Sequence, residues 1–183
     1  LGYSAFKSVL NIHKNYYWFG QTILDRVVLM SGIPHPFSFD FDGEHHLREM
    51  VAEKKGGLLL SAHIGNWEIA GHLLQRLNTS INIVMFDGEQ EQIKSYMDSV
   101  TGRRSAKIIL IKEDLSHIYA IQEALQQNEF VCMHADRFME GNKTISAILL
   151  NKPARFPAGP FLLANAFRVP VSFVFAMKET AVH

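Results

Sequence analysis

Apolar and polar positions along the chain follow two different periods. From residue 1 to residue 32 the apolar and aromatic residues Phe6, Val9, Leu10, Tyr16, Tyr17, Ile23, Leu24, Val27, Val28 and Met30 recur mostly at helical spacing, and Gly32 and Pro34 stop the pattern. This predicts an amphipathic helical region, as one long helix or two. After a turn-rich stretch and a short helix near His45 to Lys54, strand-like and helix-like runs alternate. Strands are predicted at 57–62, 81–86, 107–111, 130–135, 145–150 and 169–176, with helices at 67–77, 89–100, 116–127 and 157–167. Parallel strands need crossover connections, so this order predicts an α/β fold with a largely parallel central sheet flanked by helices. Sites in such sheets lie beyond the carboxyl ends of the strands.

Composition narrows the class. The chain has 183 residues, 48% of them apolar and 13 of them Phe, enough for one packed domain over residues 1–183. Lys plus Arg equals Asp plus Glu at 18 each, so the basic field of a nucleic-acid binder is missing. The longest run without Asp, Glu, Lys or Arg, Val27 to Phe39, is about 13 residues, short of the roughly 20 that span a bilayer. Cys132 is the single cysteine and sits in an apolar run, which predicts a buried reduced thiol and no internal disulfide. The cluster Tyr16-Tyr17-Trp18-Phe19, flanked by Lys7, His13 and Lys14, fits either a helix packed on the core or a helix lying on a membrane surface.

The segment richest in chemistry is Leu58-Leu59-Leu60-Ser61-Ala62-His63-Ile64-Gly65-Asn66-Trp67-Glu68. It sets His63 just past a buried strand and Glu68 in the first turn of the next helix, with Gly65 for the sharp turn and Asn66 at the N-cap. Histidine has the pKa suited to removing a proton near neutrality, and a nearby carboxylate fixes its tautomer and favours its imidazolium. The helix N-terminus adds backbone N–H groups for an anion or a developing oxyanion. The same spacing also fits a histidine that merely caps a strand. His45-His46, His72 and His117 show no metal-ligand spacing, so no metal is expected, and neither a Gly-x-Ser-x-Gly elbow nor a phosphate-binding loop is present.

His-Ile-Gly-Asn-Trp-Glu resembles the His-x4-Asp/Glu motif of the lysophospholipid acyltransferase superfamily, in the glutamate form of the late acyltransferases of lipid A biosynthesis. Two later segments are similar to that branch in the same order: Ala135-Asp136-Arg137, and Asn151 to Ala164 with Pro157-Ala158-Gly159-Pro160. They are closest to its predicted-acyltransferase relatives, some of which are fused to other biosynthetic enzymes. The resemblance runs from about Leu24 to Lys178. It departs at Met85-Phe86-Asp87-Gly88, where the late lipid A enzymes usually carry Tyr-Arg-Pro, and in lacking their N-terminal membrane anchor. The family pattern extends past Met177, so the domain is expected to be incomplete at its C-terminus.

The resemblance implies a glycerol-3-phosphate acyltransferase-like fold and transfer of an acyl group from an acyl thioester, on acyl carrier protein or coenzyme A, to a hydroxyl or amine of a lipid-like acceptor. His63 is then the general base and Glu68 its orienting partner. Asn66, Asp136, Arg137 and Arg155 are assigned to substrate binding, Asn66 as an oxyanion donor; the alternative for the last three is an Asp to Arg ion pair holding two loops together. No bound cofactor or metal is expected, only the thioester co-substrate. The expected location is the cytoplasmic face of the cell membrane, with peripheral contact through the aromatic helix. A thioester hydrolase and a non-catalytic acyl-chain or membrane-binding module are the competing readings.

Overall fold

The computed structural model describes residues 2–86 and 107–180, apart from the side chains of Met30, Glu68, His72 and Gln75. The helix predicted over 89–100 lies outside the described residues. The N-terminal pattern forms one continuous helix, α1 (Ala5–Met30), whose start is capped by the Ser4 hydroxyl accepting from the Lys7 N–H. There follow α2 (Glu44–Ala52), β1 (Gly57–Ser61), α3 (Trp67–Leu74) with a 3-10 turn (Gln75–Leu77), β2 (Ile81–Phe86), β3 (Lys107–Ile111) and α4 (Ser116–Gln126). The chain continues through β4 (Phe130–His134), β5 (Thr144–Leu149), β6 (Lys152–Pro157), α5 (Gly159–Phe167) and β7 (Val171–Phe173).

Five strands form one parallel sheet in the order β3-β2-β4-β1-β7. The continuous apolar runs of β1 and β4 suit its centre, where both faces are covered. Leu58, Leu60, Val131 and Met133 pack on one side with α4 and α5, while Leu59 and Phe130 pack on the other with Leu47 of α2 and Leu74 and Leu77 at the end of α3. The register pairs Gly57 with Phe130 and Ser61 with His134, so β1 and β4 end level with each other. This alignment sets up the site.

Two elements differ from their sequence expectations. The strand predicted over 169–176 is shortened to Val171–Phe173; Pro170 has no N–H to donate but its carbonyl accepts from the Leu58 N–H, and past the strand the Val174 N–H still reaches the Leu60 carbonyl. The run at 145–150 is not a strand of the main sheet. As β5 it forms a separate antiparallel hairpin with β6, through a two-residue turn at Leu150 and Asn151, both at positive φ (52° and 63°). β6 contains Pro153 and Pro157 and no clean alternation, so its sequence carries no strand signal.

The two alternatives for the aromatic helix divide along its length. Its last turns dock on the body: the Thr22 carbonyl accepts from the Asn66 amide, Lys178 binds Asp25 at 2.6 Å, and Leu29 is buried. Nearer the N-terminus its apolar side chains stand in the open, Phe6 at 75% and Tyr16 at 70% exposure. Among the described residues no helix is long and apolar enough to cross a membrane.

Candidate active site

The level ends of β1 and β4 bring two distant segments together. The Ala135 N–H donates to the Ser61 carbonyl, extending the ladder one step past both strands, and the next residues out are His63 and Asp136. The His63 backbone N–H donates to Asp136 Oδ2 at 3.0 Å, and its ring Nδ1 lies 3.0 Å from Oδ1 and 3.3 Å from Oδ2. Both side chains are about three-quarters shielded, His63 at 23% and Asp136 at 25% exposure. Burial pushes the Asp136 carboxyl upward, but the backbone and ring hydrogen bonds from His63 together outweigh it and hold the group below the usual aspartate value. A carboxylate on Nδ1 selects the tautomer whose Nε2 lone pair is available to accept a proton.

A second histidine lies under the first. The rings of His134 and His63 stack with centroids 4.2 Å apart and planes 29° apart, and Trp67 meets His134 edge-on at 4.9 Å. Burial, together with the neighbouring His63 charge, pushes the His134 pKa down to about 4, so this ring is neutral at pH 7. Its Nδ1 is buried and makes no hydrogen bond. Sequence reasoning missed His134; the available signal was a polar ring at the carboxyl end of an otherwise apolar strand, one residue before Ala135-Asp136-Arg137. His63, His134 and Asp136 each bring a ligand-type atom within 4.8 Å of the others. These three residues could hold a metal ion; the Asp136 carboxylate is also engaged by His63, which gives the cluster the geometry of a supported acid–base pair.

The turn between His63 and α3 is tightly seated. Gly65 has φ 69°, and a side chain there would fall on the Ala176 carbonyl, which also accepts from the Asn66 N–H at 2.9 Å. Asn66 caps α3, its Oδ1 accepting from the Ile69 N–H at 3.3 Å, while its side-chain amide donates to Thr22 at 3.1 Å. Both ends of the Asn66 side chain are thus engaged in holding the turn and α1. Glu68 falls in the first turn of α3, and its side chain lies outside the described residues.

The arginines stand further out. Arg137 is exposed, and the Arg155 guanidinium lies 5.2 Å from the centre of the Phe138 ring. The Asp136 carboxylate goes to His63 rather than to either arginine, so the loop-holding ion pair is replaced by the acid–base pair. On the other side of the turn, Gly65 and Asn66 border a cavity of about 890 Å³ enclosed by α1, α2, α3 and the chain around β7. Its apolar lining includes Leu29, Phe39, Leu47, Ile69, Leu73 and Phe173.

Residues 12–181 match the family model of the bacterial lipid A biosynthesis acyltransferases, and the chain belongs to that family. Among curated protein sequences none matches it significantly.

Proposed function

With membership in the lipid A biosynthesis acyltransferase family as the premise, we propose that this protein moves a fatty acyl group from an acyl thioester, carried on acyl carrier protein or coenzyme A, to a hydroxyl or amine of a lipid-like acceptor. The observation that carries this reading is the His63–Asp136 pair, a histidine held by a carboxylate on Nδ1 at the carboxyl end of a central strand. Nε2 of His63 takes the acceptor's proton as its oxygen or nitrogen attacks the thioester carbonyl carbon. The tetrahedral oxyanion is stabilised by backbone N–H groups in the first turn of α3. Its collapse breaks the C–S bond, and the departing thiolate takes the proton from His63. Asp136 stabilises the imidazolium between these steps, and Glu68 is the second carboxylate assigned to the pair. Arg137 and Arg155 are assigned to substrate.

The cavity beside Gly65 and Asn66 offers an apolar part, at Leu29, Leu47, Ile69, Leu73 and Phe173, where an acyl chain would fit, next to a rim of carboxylates that includes Asp40, Asp42, Glu44 and Glu49. The exposed aromatic residues of α1 support peripheral contact with the cytoplasmic face of the membrane.

Thiol release from acyl-coenzyme A and acyl carrier protein donors, with a lipid-extract acceptor, tests the reading. A folded His63→Ala variant is expected to lose about 100-fold or more of the rate, with the acyl group of the wild-type reaction recovered on a lipid. Free fatty acid as the sole product makes the protein a hydrolase. Equal rates for wild type and variant remove His63 from catalysis.

A further inference from the structure

Apart from Arg155, assigned above to substrate, the β5–β6 hairpin takes no part in the reaction, and its composition is unlike that of the rest of the chain. From Gly141 to Lys178 there is no Asp or Glu, while Lys143, Lys152, Arg155, Arg168 and Lys178 all fall in this stretch of a chain whose overall charge is zero. The hairpin lies outside the main sheet, and every residue of β5 after Thr144 is exposed. At its tip are Ile148 at 73%, Leu149 at 52% and Leu150 at 78% exposure.

The tip residue is also an unusual one for its backbone. Leu150 occupies the left-handed region at φ 52°, a position in a two-residue hairpin turn where Asn, Asp or Gly is the common choice. Leu149 faces Lys152 across the ladder, and Lys143 and Lys152 are exposed. Three aliphatic side chains around the turn, with Lys152 level with Leu149 and no acidic residue in either strand of the hairpin, match a boundary where hydrocarbon lies beneath a negatively charged layer.

We propose that the tip of this hairpin, Ile148 to Leu150, inserts into the surface of an anionic lipid bilayer, with Lys152 on the headgroups. The occupant is a membrane rather than a protein groove because the tip combines isolated apolar residues with charge of a single sign. The proposal rests on the reading of a lipid-like acceptor only for its purpose, bringing the enzyme to its acceptor; vesicle binding is measured with no donor or acceptor, and so separately from acyl transfer.

The single native thiol, Cys132, is half-buried with its pKa pushed up to about 12, so in a Leu150→Cys, Cys132→Ala variant an environment-sensitive fluorophore attaches at the tip alone. With phosphatidylglycerol vesicles the label is expected to shift to the blue, and with phosphatidylcholine vesicles to stay as in buffer. Leu149→Asp combined with Leu150→Asp is expected to weaken phosphatidylglycerol binding at least tenfold at an unchanged melting temperature, since both side chains are exposed. A label that stays in its aqueous state while tryptophan emission reports vesicle binding assigns the contact to α1 and overturns the proposal. So does the absence of any vesicle binding, or a blue shift that grows with protein concentration without lipid, which marks a second copy as the occupant.

Discussion

Nδ1 of His63 lies 3.0 Å from Oδ1 of Asp136, a residue 73 positions further along the chain. Parallel pairing of β1 with β4 creates this contact, since it makes the two strand ends level. Asp136→Asn keeps the shape of the side chain but withdraws the charge that stabilises the imidazolium. The expected loss is about 100-fold or more in kcat with the fold intact, measured by thiol release. His63→Ala combined with Asp136→Asn is expected to be no worse than His63→Ala alone, because the two side chains act as one unit. Additive losses would separate them.

His134 links stability to pH. Its folded pKa, about 4, lies below the ordinary histidine value of 6.5, so the unfolded chain binds the proton first as pH falls. Its contribution is therefore complete above about pH 6.5 and is lost between there and pH 4, with a slope of at most about 1.4 kcal/mol per pH unit for one proton. Asp136, lowered from 3.8, adds a loss only at still lower pH. Urea unfolding at several pH values is expected to show a shallower dependence between pH 6.5 and 4 in His134→Phe, which keeps a flat ring against His63. An unchanged dependence would sink the assignment.

Gly65 tests the seam between the turn and the chain after β7. Alanine there meets both an unfavourable φ of 69° and the Ala176 carbonyl. Gly65→Ala is expected to cost about 2 kcal/mol or more and to lower activity as Asn66 is pushed from its contacts. Denaturant unfolding paired with thiol release reads both effects.

How much of this was legible beforehand depends on the range of each signal. α1, β1 and α4 are continuous, strongly patterned runs, and their patterns alone place them to within a few residues. His63 was legible because a strand, a turn glycine and a capping asparagine surround it in one local segment. The His63–Asp136 bond was not, because linear spacing is silent on which strand lies beside β1; the family motif marked Asp136 without its partner. β6 was hidden by its two prolines, and His134 by the absence of any local spacing that ties it to His63.

The pair of Lys178 with Asp25, 2.6 Å apart and largely shielded, holds α1 against the segment that also receives the turn. Lys178→Met leaves Asp25 without its cation and is expected to destabilise the protein by about 1–3 kcal/mol. Hydrogen exchange in the last turns of α1 is expected to rise most. Uniform acceleration across the sheet would mean that the pair supports the whole fold instead.

Cys132 is expected to react slowly. The residue is half-buried and desolvation pushes its thiol up to about 12, so native protein at pH 8 should consume a thiol reagent far more slowly than protein in denaturant, which should consume one equivalent. Equal rates in the native and the denatured state would show that the fold does not protect the thiol.

The strand order carries a consequence for how the protein is made. β1 has only β4 and β7 as partners, and both are synthesised long after it. Leu58, Leu59 and Leu60 therefore leave the ribosome with no strand to join until residues past 130 have followed, while β2 and β3 are already able to pair. Such non-local pairing is slow and keeps a sticky segment exposed, so the nascent chain has most need of chaperone protection during that interval. The same delay means that the acid–base pair cannot form until Asp136 has been made, and a shorter nascent chain carries His63 without this carboxylate.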